Sequence, residues 1–220
     1  MKDYLSVLYN KQKKPLTDYP AKFADYNIQK FNLKNKTFLE IGCGRGDFIN
    51  EFSKQGLICY ATDILSSAKD NLDQNIVFSK HNISNEKLPF EDNFFDAIYT
   101  KSLIEHISNH EFFFNECKRV LKPNGILINY TPDWETQYLN FYDDITHIKP
   151  FTKITLENCY RMYGFETCKV EKFYQLPIVW KFPFLKYFLK MISVFIPLRS
   201  KLKFLRFSKE LMLLGFATKN

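Results

Sequence analysis

The pattern of apolar and polar positions switches repeatedly between the period of a strand and the period of a helix. Thr37 to Ile41 (TFLEI) reads as a short buried strand running into a glycine-rich turn. Asp47 to Gln55 reads as a helix with Gly56 as its stop signal. Leu57 to Thr62 is a second strand ending at Asp63, Ser66 to Asp73 a short helix, and Asn75 to Ser79 a third strand. Phe94 to Thr100 (FFDAIYT) is a fourth strand. Glu111 to Leu121 is a strongly amphipathic helix, closed by the turn Lys122-Pro123-Asn124-Gly125 and followed by a fifth strand, Ile126 to Tyr130. A helix from Lys153 to Tyr163 ends at Gly164, and Glu166 to Phe173 and Leu211 to Thr218 complete seven strands. Strands and helices alternating at this spacing predict an α/β fold: a doubly wound, mostly parallel seven-stranded sheet with helices on both faces.

The same reading divides the chain into a helical and loop cap over residues 1–36, punctuated by Pro15 and Pro20, a core over 37–175, an insertion over 176–208, and the last core strand over 209–220. Within the insertion, the apolar stretch Phe182 to Leu198 is interrupted by Lys186 and Lys190. A spanning helix needs roughly 20 mostly apolar residues, so an interfacial or pocket-covering helix is expected instead.

Composition adds three points. The 220 residues are 45% hydrophobic, enough for a sizeable core, and include 23 Phe. Cys43, Cys59, Cys117, Cys159 and Cys168 are odd in number and widely spaced, which argues against a disulfide framework or a zinc site and suits a reducing, cytoplasmic compartment. The charged opening MKDYLSVLYNKQKK does not resemble a signal peptide. The net charge of +7 is concentrated at one end: ten Lys/Arg stand against two acids from Glu171 to Asn220, whereas the preceding residues carry 21 bases and 22 acids. A basic, aromatic-rich end implies either an anionic partner or a solvated face.

The chemistry begins after the first strand. Gly42-Cys43-Gly44-Arg45-Gly46 has a GxGxG spacing, which lets the backbone turn sharply and approach a ligand at a helix start. Asp63 ends the next strand, 21 residues after Gly42, where an acid in a doubly wound fold can accept from both hydroxyls of a ribose. The competing readings are a packing turn for the glycines and a helix cap for Asp63.

Taken in order, LEIGCGRGDF, ATDI, LPFEDNFFDAIYTKSLIEHI and KRVLKPNGILI resemble the successive motifs of the class I S-adenosylmethionine-dependent methyltransferases, which have a Rossmann-like fold, from about Leu39 to Ile128. The resemblance implies S-adenosyl-L-methionine as cofactor. It implies that Glu40 and the loop Gly42, Cys43, Gly44 and Gly46 hold the methionine end, Asp63 the ribose, and Ile64 the adenine. It places Asn82 and Ile83 where the family often has an acid for the adenine amino group, and an amide oxygen can still accept there. Lys101 and Ser102 would face the cofactor, with Leu103, Glu105 and His106 at the mouth of the active site. The segment DDITHIKPFT and the ending SKELMLLGFATKN are similar to small-molecule and sugar methyltransferases of the same family.

In methyl transfer the cofactor brings the reactive group, so the protein must align the acceptor and exclude water. A hydroxyl acceptor also benefits from a base. His147, in the connection after the fifth strand, is the first candidate, oriented by Asp143 or Asp144; the bland alternative is a loop histidine capping the helix at Lys153. His106 is the second candidate, and reads better as a structural residue packed beneath the cofactor. No metal site is assigned, since Asp143 and Asp144 read better as a solvated loop than as a cation site. The expected function is O-methylation of a small molecule or glycan. A lipid-linked acceptor and a peripheral contact with an anionic membrane at its inner face remain open, and the alternative for the aromatic insertion is a lid. An RNA methyltransferase is the runner-up, although nucleic acid is disfavoured by the lack of a binding module. A non-catalytic scaffold on the same fold is the third reading.

Overall fold

In a computed structural model, residues 15, 17–197, 200 and 202–220 are described. Much of the 1–36 cap, including its opening segment, lies outside them, as do Leu198, Arg199 and Lys201 of the insertion. Among the described residues the strands are β1 (Thr37–Ile41), β2 (Ile58–Asp63), β3 (Val77–Lys80), β4 (Phe95–Lys101), β5 (Leu121–Pro132), β6 (Thr167–Phe173) and β7 (Met212–Thr218). The helices that pack on them are α1 (Tyr19–Phe31), α2 (Ile49–Lys54), α3 (His110–Val120), α4 (Trp134–Gln137) and α5 (Lys153–Met162). Three short helices fill the insertion: α6 (Pro177–Lys181), α7 (Leu185–Ser193) and α8 (Lys203–Lys209).

The seven strands form one sheet in the order β3-β2-β1-β4-β5-β7-β6. The first five are parallel and β7 runs antiparallel to both β5 and β6. The doubly wound, mostly parallel architecture expected from the alternation is therefore present. Both faces of the central strands are covered, so these strands are almost continuously apolar. Alternate residues feed opposite cores. Leu39, Ile98 and Leu127 pack with Phe113, Phe114, Leu156 and Tyr160 on one face. Phe38, Tyr99, Ile128 and Tyr130 pack with Phe23 and Phe52 on the other.

Phe23 is the hub of that second core. Its ring centroid lies 4.9 Å from that of Tyr130, 5.1 Å from Phe48 and 5.9 Å from Trp180. Helix α1 is thereby clamped between the sheet, the glycine loop and the insertion. The buried Asn27 beside it is satisfied: it accepts from the Tyr130 hydroxyl at 2.9 Å and donates to the Phe23 carbonyl at 2.8 Å.

Two elements differ from the expected ones. The short helix expected over Ser66 to Asp73 is a 3-10 helix that ends earlier, at Asn71. It is rich in Ser, Asp and Asn, whose side chains compete for backbone groups; the Asn71 amide donates to the Ser67 carbonyl at 3.5 Å. The expected turn at Lys122–Gly125 is absorbed into β5, where the pairing with β4 shifts register between Phe95 and Ala97 and Asn124 takes a positive φ of 62°.

Candidate active site

The strand order reverses between β1 and β4, with β2 and β3 on one side and β5 on the other. Ligands of open α/β sheets bind at the carboxyl ends of the strands beside such a reversal. Gly42 follows β1 and Ser102 follows β4, so the structure brings the two expected segments together at that point.

The glycine loop is tied to the end of β2. Gly42 and Cys43 N–H groups donate to the Thr62 carbonyl at 2.8 and 3.1 Å. The Gly44 N–H donates to Asp63 Oδ2 at 2.7 Å, and the Leu65 N–H to Asp63 Oδ1 at 2.9 Å. Asp63 thus organises the loop, and each of its oxygens keeps a further lone pair. Burial raises its pKa, and the N–H groups of Leu65, Gly44 and Ile64 oppose that rise. Gly42 sits at φ +78°, and a Cβ there would come within 3.0 Å of Leu103 Cδ1. Ser102, on the opposite wall, is itself left-handed at φ 53° and donates its N–H to the Tyr130 carbonyl at 2.8 Å.

Glu40 is the strongest electrostatic feature. Its side chain is buried within β1 and Oε2 has no hydrogen-bond partner. Burial first, then the charges of Asp47 and Asp63, push its pKa well up, while Lys101 and the Ile49 N–H act the other way. The Lys101 ammonium stands 5.3 Å from the Phe48 ring centroid. A buried carboxylate with an unused oxygen calls for a cationic or donor-rich partner.

Two cavities meet here. The smaller, about 190 Å³, is lined by Asp63, Ile64, Asn82, Ile83, Leu103 and His106 among others. Ile64 is 57% exposed, leaving an apolar face free. Asn82 accepts from the Ser84 N–H at 3.1 Å, and its own N–H donates to Glu86 Oε2 at 2.9 Å. The larger cavity, about 1340 Å³, takes in Glu40, the glycine loop, Lys101, Ser102 and His106, and is closed by the start of α1, by α6 and by α8. Glu40, Gly42, Cys43, Gly44, Asp63, Ile64, Lys101 and Ser102 therefore share this larger cavity, and Asn82 and Ile83 line the adjoining smaller one. Gly46 does not line either cavity; it turns the chain into α2, accepting from the Asn50 N–H at 3.1 Å.

The histidines are arranged differently from expectation. His106 lines both cavities. His147 lines neither; its ring centroid lies 4.8 Å from that of His106 and 4.3 Å from that of Phe141. The His147 backbone N–H donates to the Asp144 carbonyl at 3.2 Å. The ring Nδ1 donates to the Phe141 carbonyl at 2.6 Å. The Asp144 carboxylate instead accepts from the Thr146 N–H and hydroxyl at 3.0 and 2.6 Å, closing its own turn. Nor does His147 cap the following helix, since Thr152 does so. His106 Nδ1 lies 3.0 Å from the Thr146 carbonyl. Each imidazole thus gives its Nδ1 proton to a carbonyl, which leaves Nε2 as the basic atom in both. Burial lowers the His106 pKa.

Glu105, which the resemblance places at the mouth of the active site with Leu103 and His106, lines neither cavity. It is fully buried; Oε2 accepts from the Thr131 hydroxyl at 2.9 Å and Oε1 has no partner. Burial raises its pKa to about 7. One carboxylate between apolar Ile104 and Ile107 was the available signal. Ligand-type atoms of Glu105, His106 and His147 lie within 4.8 Å of one another. Two ligands about 2.1 Å from one zinc or magnesium ion are at most about 4.2 Å apart, so this set would have to close to hold such an ion.

Comparison with known proteins agrees with this geometry. Residues 39–129 match the model of a methyltransferase domain. A crystal structure of an S-adenosylmethionine-dependent methyltransferase from Archaeoglobus fulgidus superposes with a TM-score of 0.67 at 18% identity, covering 99% of this chain and all of that one. The chain thus carries a methyltransferase domain over residues 39–129 and has the fold of the S-adenosylmethionine-dependent methyltransferases. Among curated relatives, the ubiquinone biosynthesis O-methyltransferase of Pasteurella multocida is 27% identical over 130 residues, 52% of this chain and 54% of that protein. The mitochondrial arginine-hydroxylase NDUFAF5 of Danio rerio is 28% identical over 147 residues, 60% of this chain and 46% of that protein. The chain thus spans about half the length of the curated relatives it matches.

The residues of the larger cavity fit the family's cofactor. The unpartnered Glu40 oxygen stands ready for a cationic group, and Gly42 holds open space that a Cβ would narrow against Leu103.

Proposed function

We propose that this protein transfers a methyl group to an oxygen of a small-molecule or glycan acceptor. The observation that carries the reading is the convergence of Glu40, the glycine loop and Asp63 on one side of a cavity whose other wall presents His106. When bound, S-adenosylmethionine supplies an electrophilic methyl group on a sulfonium sulfur. Glu40 would hold its methionine end, Asp63 its ribose, and Ile64, Asn82 and Ile83 its adenine.

The protein's remaining task is alignment, water exclusion and proton removal. At about 1340 Å³ the larger cavity exceeds the roughly 300–1,000 Å³ of one small-ligand site, leaving room for an acceptor beside the cofactor. The His106–His147 pair serves as the base. His106 lines the cavity and burial lowers its pKa, so the imidazole lone pair is available at neutral pH. His147, whose ring centroid lies 4.8 Å from that of His106, is the second basic imidazole of the pair. The name of the Pasteurella multocida relative supports an oxygen acceptor; the Danio rerio relative bears the name of a different reaction, so the choice rests on the histidines. Five free cysteines, four of them buried, support a cytoplasmic setting.

The test is calorimetric titration with S-adenosylhomocysteine. Wild type should bind in the micromolar range, about −8 kcal/mol. Asp63→Ala should abolish this, and Asp63→Asn, whose single amide oxygen can accept from only one of the Gly44 and Leu65 N–H groups, should weaken it. A folded wild-type protein that does not bind would overturn the reading in favour of a scaffold. With binding established, His106→Ala and His147→Ala should each reduce turnover on a hydroxyl acceptor about 10²-fold or more.

A further inference from the structure

The insertion closes one wall of the cavity, yet it is not finished as a lid would be. Helix α7 buries Leu189 and packs Leu185 and Ile192 against Tyr174, Val179 and Phe207. A surface helix with its inner stripe satisfied normally turns a polar face outward. This one turns out Tyr187, Phe188 and Met191, and the residues at its two ends add Phe184 (66% exposed), Val194 and Phe195 (87%). Half of the twenty large hydrophobic side chains exposed among the described residues lie between Ile178 and Phe204. Such a patch marks an interaction surface.

The charges identify what covers it. From Lys172 to Lys209 the sequence holds nine Lys/Arg and not one Asp or Glu. A second copy seated on this face would set cations against cations, which disfavours self-association through it. Exposed Met191, Val194 and Phe195 at the end of α7 suit hydrocarbon rather than a phosphate backbone. Apolar side chains flanked by lysines, on a helix too short and too charged to cross a bilayer, are the composition of an interfacial helix; no described helix is long and apolar enough to span.

We propose that α6, α7 and α8 form an interfacial anchor that docks the protein on an anionic lipid surface, bringing the mouth of the large cavity to the headgroup layer. The mouth and the anchor share residues. Ile178 on α6 and Phe204 on α8 line the cavity and are also 46% and 51% exposed, with Lys203 beside them. The acceptor would then be an amphiphile whose tail stays in the bilayer while its hydroxyl-bearing head enters. This last consequence rests on the methyl-transfer reading of the cavity, whereas the docking rests on the anchor alone.

The experiment is co-sedimentation of the full chain, without cofactor, on phosphatidylcholine vesicles with and without 30% phosphatidylserine (about one lipid in three). Binding should require phosphatidylserine and weaken with salt. Lys186→Gln with Lys190→Gln should weaken it about 25-fold, at about fivefold per lysine near the surface. Phe188→Glu with Phe195→Glu should weaken it about tenfold or more. None of these four residues lines the cavity, so S-adenosylhomocysteine titration of each variant should be unchanged. Loss of that titration in the wild type would strike the cofactor site and leave vesicle binding intact. The proposal is overturned by absence of vesicle binding, by equal binding to neutral vesicles, by preferential retention on RNA, or by concentration-dependent dimers that the Phe188→Glu, Phe195→Glu variant dissolves.

Discussion

Replacing Glu105 by Gln tests the electrostatics beneath the candidate base. The side chain is fully buried, takes one hydrogen bond from Thr131 and leaves Oε1 without a partner. Burial raises its pKa from the ordinary 4.5 to about 7. At about 1.4 kcal/mol per pH unit, ionising it in the folded protein costs about 3 kcal/mol more than in the unfolded chain. Below pH 4.5 the group is protonated in both states and the cost is absent. It grows as pH rises between 4.5 and about 7, and is complete above that. Glutamine matches the shape but cannot ionise, and any cost of its own buried amide is the same at every pH. Urea unfolding of both proteins at pH 5 and pH 8, in chelator, should therefore show the difference in unfolding free energy moving toward the variant by about 2–3 kcal/mol. His106 titrates in both proteins and largely cancels. A difference constant to within about 0.5 kcal/mol between the two pH values would refute the reasoning, and would mean that Glu105 is ionised at no cost beside the histidines.

Two further outcomes follow from the site. Gly42→Ala should lower S-adenosylhomocysteine affinity at least about tenfold and cost about 1–2 kcal/mol of stability, because φ is +78° and the new Cβ meets Leu103 at 3.0 Å; calorimetry and thermal unfolding read the two effects, and an unaltered affinity would contradict the close approach of the loop to the ligand. Turnover should survive millimolar EDTA, because the ligand atoms of Glu105, His106 and His147 span up to 4.8 Å; inactivation by EDTA with recovery on adding a divalent cation would make His147 a ligand instead of a base.

What was legible in the sequence had a backbone cause. The succession of strands and helices followed from apolar periodicity, and the loop from glycines at Gly42, Gly44 and Gly46 that occupy positive φ in the structure. Asp63 was legible because the end of a strand is a fixed place relative to that loop. The partner of His147 was not. Asp143 and Asp144 are its sequence neighbours, but a short Asx turn turns Asp144 onto Thr146, and the Phe141 carbonyl takes the imidazole proton. Glu105 was hidden for the opposite reason: its significance lies in burial, and its contact with Thr131 crosses 26 residues.

The same division runs through the cavity. The half proposed for the cofactor is made by short runs at successive strand ends, and the matching domain model ends at residue 129. Its acceptor half is assembled from the start of α1, His106, Thr146, α6 and α8, which are distant in sequence and all but His106 outside that match. Walls of that kind need only shape and polarity, so many residue combinations serve. A relative named for O-methylation and one named for arginine hydroxylation can therefore both resemble this chain. On the proposed reading acceptor choice resides in the second set of walls, and there this chain has placed an acid-free, basic and aromatic segment whose own inner face is already packed. A wall that is complete on its inner side has no structural use for the aromatic side chains on its outer side, so the outer side is where a partner for the acceptor must be sought.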